Sequence, residues 1–249
     1  MVSNKIYFSQ PTEHSMRNEN SPEVRVANSH DEITNVMHEN QAVLSSDAAS
    51  VLKNTYMLLG ITIAFSALVA YLAMDMPRPG FIVTLVGFYG LFFLTAKLRN
   101  SAWGLVSTFA LTGFMGYTLG PVIGMFAGAG AMPVVMNALG LTAFVFFGLS
   151  GYALTTKKDF SFLAGFLTAG IFVLIGAMVL SFFTQIPGLQ LAISAGFVLF
   201  SSAMILYETG NIINGGERNY VMATISLYVS IYNLFLSLLH ILTALGGDD

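Results

Sequence analysis

The sequence predicts an all-α membrane protein of seven transmembrane helices. Three observations carry that expectation: a scarcity of charge, two long uncharged stretches, and turn signals spaced about one bilayer crossing apart. Of 249 residues only 23 are Asp, Glu, Lys or Arg, and 10 of these lie in the first 50 positions. A soluble domain is about a quarter charged, so 9% charged against 55% hydrophobic leaves too few charges to cover a water-facing surface. Residues 100–156 and 160–207 contain no Asp, Glu, Lys, Arg or His, and each stretch is long enough for two crossings of about 20 residues. A net charge of −3, with no basic cluster larger than Lys157-Lys158, disfavours nucleic-acid binding. The absence of cysteine excludes disulfides, thiolate catalysis and Cys-ligated zinc.

Residues 1–50 carry seven acids, three bases and three of the four histidines among many Asn and Ser. So little apolar surface cannot offset the entropy of ordering, and the segment reads as a disordered cytosolic tail ahead of a membrane domain over 51–249. A short helix near 47–53 is expected to lead into the bilayer. Span one is expected over 56–74, closed by Asp75-Met76-Pro77-Arg78-Pro79-Gly80, and span two over 81–96, closed by Lys97-Leu98-Arg99. Span three starts near Trp103 and is kinked or ended by Gly120-Pro121. Span four covers 134–154, span five 160–183, span six 189–207 and span seven 220–245. With the N-terminus inside, the inner segments hold Lys53, Lys97, Arg99, Lys157, Lys158 and Arg218, and the outer ones only Arg78. Lys and Arg accumulate on the cytoplasmic side, so the expected orientation is N-terminus inside and C-terminus outside. A re-entrant 120–130 segment, giving six crossings, is the alternative.

Two kinds of candidate site stand out. Gly116, Gly120, Gly124 and Gly128 repeat every four residues along span three, a spacing that lets helix backbones approach closely in lipid. They are expected to pack two helices, within the chain or between copies in a homo-oligomer. In span seven, Ser226, Ser230, Asn233, Ser237 and His240 fall on one helix face, and in span six Ser194, Ser201 and Glu208 lie seven apart. A polar stripe of that length belongs inside a bundle, either cementing helices or lining a wet path. Glu208 follows 48 uncharged residues; it reads either as a cation or proton site facing span seven or as an interfacial group solvated with Glu217 and Arg218.

Enzyme chemistry finds few materials. Gly148-Leu149-Ser150-Gly151 matches a rhomboid-like serine element, but the histidine outside the tail, His240, falls near the opposite end of its span. One membrane carboxylate does not make an aspartyl protease, no lysine follows Lys158 to form a retinal Schiff base, and His38-Glu39 lacks a second zinc-binding histidine. No catalytic residue, metal or cofactor is expected.

The C-terminal third is the most distinctive: Leu206-Tyr207-Glu208-Thr209, Ile212-Ile213-Asn214-Gly215-Gly216-Glu217, Asn219-Tyr220-Val221-Met222-Ala223-Thr224 and Ser226-Leu227-Tyr228-Val229-Ser230-Ile231-Tyr232-Asn233. With Leu52-Lys53-Asn54-Thr55-Tyr56 and Leu154-Thr155-Thr156-Lys157-Lys158-Asp159, these motifs resemble the Bax inhibitor-1 family, and within it the bacterial YccA type that modulates the membrane protease FtsH. The resemblance covers about residue 51 onward and implies a helical bundle with span seven central, in an inner membrane, with an FtsH-type protease as partner. Some members of the wider family are pH-sensitive calcium leaks whose sensor is an aspartate pair in spans six and seven. This chain has Glu208 at the first position and Ser230 at the second, so the pair is incomplete. The resemblance therefore favours a protease modulator without catalysis of its own over a cation leak built from Glu208, Ser230 and Asn233. The tail would then offer the protease a cytosolic end to grip.

Overall fold

The computed structural model describes residues 22–156, 158–184, 186 and 188–246, with side chains from residue 47 onward. The described residues form α1 (Pro22–Leu72), α2 (Phe81–Leu98), α3 (Ala102–Gly128), α4 (Met132–Thr156), α5 (Leu163–Phe183), α6 (Leu189–Ile213) and α7 (Tyr220–Gly246). Two units divide the chain, Met1–Leu44 and Ser45–Asp249. Of the first, the backbone of residues 22–44 is described, as helix; Pro22 opens it at the position where proline's fixed φ and missing N–H suit a helix start. That helix falls in the segment whose composition predicts disorder, while residues 1–21 lie outside the described residues.

In the second unit, Asp47–Leu72 and the six later helices are each long and apolar enough to cross a membrane. The seven spans expected from the sequence are thus present among the described residues. The re-entrant alternative fails because α3 continues through Pro121 to Gly128. A proline removes one helical hydrogen bond but does not end a helix whose flanks are held on both sides. Span six also runs further than its expected end, through Glu208 to Ile213.

Helix α7 is the most buried of the seven. It packs along α6, α4 and α3, and Thr224 donates to the Thr55 carbonyl of α1 at 3.3 Å. The periphery is different. Helix α2 rests mainly on α3, and α5 on α6, leaving Phe81, Ile82, Val86, Phe172, Val173 and Phe183 exposed, as suits helices that face lipid. Buried hydroxyls in the spans are largely absorbed by their own helices: Thr108 and Thr142 donate to carbonyls one turn back at 2.7 Å, and Thr112 at 3.0 Å.

The α6–α7 connection fixes how those two helices pair. Gly215, at φ 74°, closes α6, with the Gly216 N–H donating back to the Asn211 carbonyl at 2.9 Å. Asn219 then caps α7, its Oδ1 accepting the Met222 N–H at 3.0 Å. The Asn219 amide also donates to Asn100 Oδ1 at 2.8 Å and to the Arg99 carbonyl at 3.2 Å, which ties this turn to the α2–α3 connection. So short a turn makes α6 and α7 antiparallel neighbours along their whole length.

Candidate functional site

The polar faces of α6 and α7 meet. At one end the Ser226 side chain sits beside the Glu208 carboxylate. At the other, Ser194 Oγ and His240 Nδ1 are 2.7 Å apart. Going back along α6 from Glu208 to Ser194 and forward along α7 from Ser226 to His240 covers the same number of residues, so one antiparallel register serves both pairs. Halfway between them that register sets Ser201 opposite Asn233. All six residues fall at intervals of seven, the period that keeps one seam facing its partner when two helices coil around each other. Ser201 is fully buried, and its hydroxyl has no hydrogen-bond partner among the described residues.

Glu208 is only 8% exposed, so its carboxylate is not solvated as the interfacial reading expects. The cause is the extra turn of α6 beyond Tyr207, along which α7 packs. Ser230 is buried too, but its hydroxyl donates to the Ser226 carbonyl at 2.8 Å and is satisfied within α7. Asn233 is half-buried. The hydroxyl brought to Glu208 is therefore Ser226, one turn before Ser230. Among the described residues no three His, Asp or Glu side chains converge as a metal site would require.

A second polar set was not legible in the sequence. Tyr228 and Tyr232, one turn apart on α7, stack with centroids 6.5 Å apart. The Tyr228 hydroxyl is bonded to Ser66 of α1 and donates to the Thr112 carbonyl of α3 at 3.3 Å, while Tyr232 and Thr118 of α3 bond at 2.9 Å. Tyr56 of α1 reaches Thr209 of α6 at 3.3 Å. Each ring supplies apolar area to the bundle and places its hydroxyl on a neighbouring helix. The available signal was the four-residue spacing of the two tyrosines.

The glycine stripe explains how Ser66 comes so near. A Cβ on Gly116 would collide with the Ser66 carbonyl; one on Gly120 would lie 2.6 Å from Ala73 Cβ and 2.7 Å from the Ala70 carbonyl; one on Gly124 would strike the Met74 carbonyl. These three glycines thus seat α3 directly on the backbone of α1 and of the turn that follows it. Gly128 differs, since a Cβ there meets none of the described residues within 4 Å. Ser150 is 2% exposed with no hydrogen-bond partner among the described residues, and His240 is engaged by Ser194, so the rhomboid-like serine is not joined to that histidine.

Residues 48–247 match the family model described as inhibitor of apoptosis-promoting Bax1. The chain belongs to the Bax inhibitor-1 family. Among curated Bax inhibitor-1 relatives, an uncharacterized protein of Pseudomonas aeruginosa is 65% identical, over 86% of this chain and all of its own length. The modulator of FtsH protease YccA of Escherichia coli K12 is 54% identical, over 88% of this chain and all of its own. The same values hold for the inner membrane protein YccA of Escherichia coli O6:H1. The α1–α3 glycine contacts, the tyrosine set and the α6–α7 seam all fall inside the Bax inhibitor-1 match.

Proposed function

We propose that this protein is a multi-pass inner-membrane modulator of an FtsH-type ATP-dependent protease, restraining the degradation of membrane proteins without catalysis of its own. The observation that carries this reading is 54% identity, over the whole length of the relative, to a protein named as such a modulator. The bundle supports it physically. A processive protease extracts its substrates, and seven spans clasped by close glycine contacts and by hydroxyls bonded across α1, α3, α6 and α7 resist extraction. A protein engaged but slowly extracted occupies the protease and shields other substrates. Residues 1–50, on the cytosolic side in the N-inside orientation, are the proposed handle, and six Lys or Arg near inner segments against one near outer segments support that orientation.

Affinity capture of tagged protein after mild detergent extraction tests the partnership: the protease is expected to co-purify, and its absence would overturn the reading. Deleting residues 1–44 should weaken restraint of the protease. Undiminished restraint would remove the handle while leaving the partnership standing.

One observation favours a second reading, a cation leak: Glu208 is buried in a seam that also holds the unpartnered Ser201 hydroxyl. Calcium flux into proteoliposomes, compared between the wild-type chain and Glu208→Gln, decides it. Flux that the substitution abolishes would support a leak, and no flux in either would remove it.

A further inference from the structure

We propose that the cleft between α1 and α4 is a binding site for one anionic phospholipid, with its acyl chain along the cleft and its headgroup at Lys53. Two cavities make up the cleft. One of about 350 Å³ is lined by Tyr56, Gly60, Ile63, Leu139, Ala143 and Phe147 among others, with Ile231 of α7 at its back. The other, about 250 Å³, is lined by Ala49, Leu52, Lys53, Tyr56 and Leu154. Tyr56 borders both, and we take them as one groove.

Length and charge select the occupant. From Lys53 to Ile63 the groove follows α1 for about 15 Å at 1.5 Å per residue. That is about one leaflet, half of a hydrocarbon core about 30 Å thick. The lining is apolar apart from Tyr56, Thr142 and, at one end, Lys53, whose stem can lie along the groove while its ammonium reaches the headgroup level. Apolar burial does not by itself drive association in lipid. Selectivity must therefore come from the headgroup charge at Lys53, and retention from the fit of the groove.

Gly60 permits a clean test, because a Cβ there meets nothing within 4 Å and a larger side chain would enter the groove without disturbing the fold. Purified protein in mild detergent is offered equal amounts of phosphatidylglycerol and phosphatidylethanolamine with identical chains, and bound lipid is counted by native mass spectrometry. The wild-type chain should retain one lipid and prefer phosphatidylglycerol. Lys53→Gln should lower that preference about fivefold, as loss of one lysine at a lipid surface does, while one lipid stays bound. Gly60→Leu and, independently, Ala143→Leu should abolish retention while eluting from size exclusion as the wild-type chain does. Unchanged occupancy in both groove variants, or unchanged preference in Lys53→Gln, would overturn the proposal. So would a photo-crosslinker at position 143 that captures, in native membranes, a second copy or another membrane protein instead of lipid.

Discussion

Replacing Gly120 by alanine probes the contact on which the α1–α3 pair rests. The new Cβ would stand 2.6 Å from Ala73 Cβ and 2.7 Å from the Ala70 carbonyl. Non-bonded carbon atoms settle at about 3.5–4.0 Å, so the two helices must part by about 1 Å. Overpacking of this kind costs about 1–3 kcal/mol, and the same movement pulls Ser66 away from Tyr228, which it now reaches. Gly128→Ala is the internal control: its Cβ meets nothing, and away from a packed contact such changes stay within about 0.5 kcal/mol. Unfolding titrations in mixed detergent–SDS micelles should therefore separate the two variants by about 2 kcal/mol, with Gly120→Ala the weaker, and Gly124→Ala should behave like Gly120→Ala. Equal stability of Gly120→Ala and Gly128→Ala would refute the reasoning. A change of oligomeric state without loss of protomer stability would instead place the stripe at a seam between copies.

Other expectations concern the α6–α7 seam. Because the chain has no cysteine, Ser201→Cys with Asn233→Cys should crosslink on oxidation or with a short thiol reagent, while Ser201→Cys with Ser226→Cys, two helical turns out of register, should not. A double-mutant cycle on Ser194→Ala and His240→Ala should give a coupling of about 0.6 kcal/mol, the usual size for a bond between membrane helices; zero coupling would mean the contact contributes nothing. Glu208→Lys should destabilise the fold by about 3 kcal/mol, while Glu208→Gln, which keeps a polar partner for Ser226, should unfold close to wild type. A Glu208→Lys variant as stable as the wild-type chain would show that residue 208 reaches water.

The seven spans were legible because charge, proline and glycine punctuate an otherwise apolar chain, and the polar stripe on α7 was legible because helical periodicity survives in lipid. Pairing was harder to read. Ser194, Ser201 and Glu208 showed a common face, but only the tight Gly215–Asn219 turn sets which α7 residue each one meets, and it brings Ser226 to Glu208. A carboxylate normally stops an apolar run, which puts the expected end of span six at Tyr207. Packing against α7 carries the helix on to Ile213 and buries Glu208. The roles of Tyr228 and Tyr232 were hidden because a tyrosine reads as apolar bulk until the helix its hydroxyl reaches is known.

The most direct test of the account is the degradation of a membrane substrate by an FtsH-type protease in proteoliposomes, followed over time with increasing amounts of this protein. The account predicts that degradation slows in proportion to the protein added and recovers when excess substrate is supplied, with the added protein itself largely intact. Degradation at an unchanged rate across that series would contradict it.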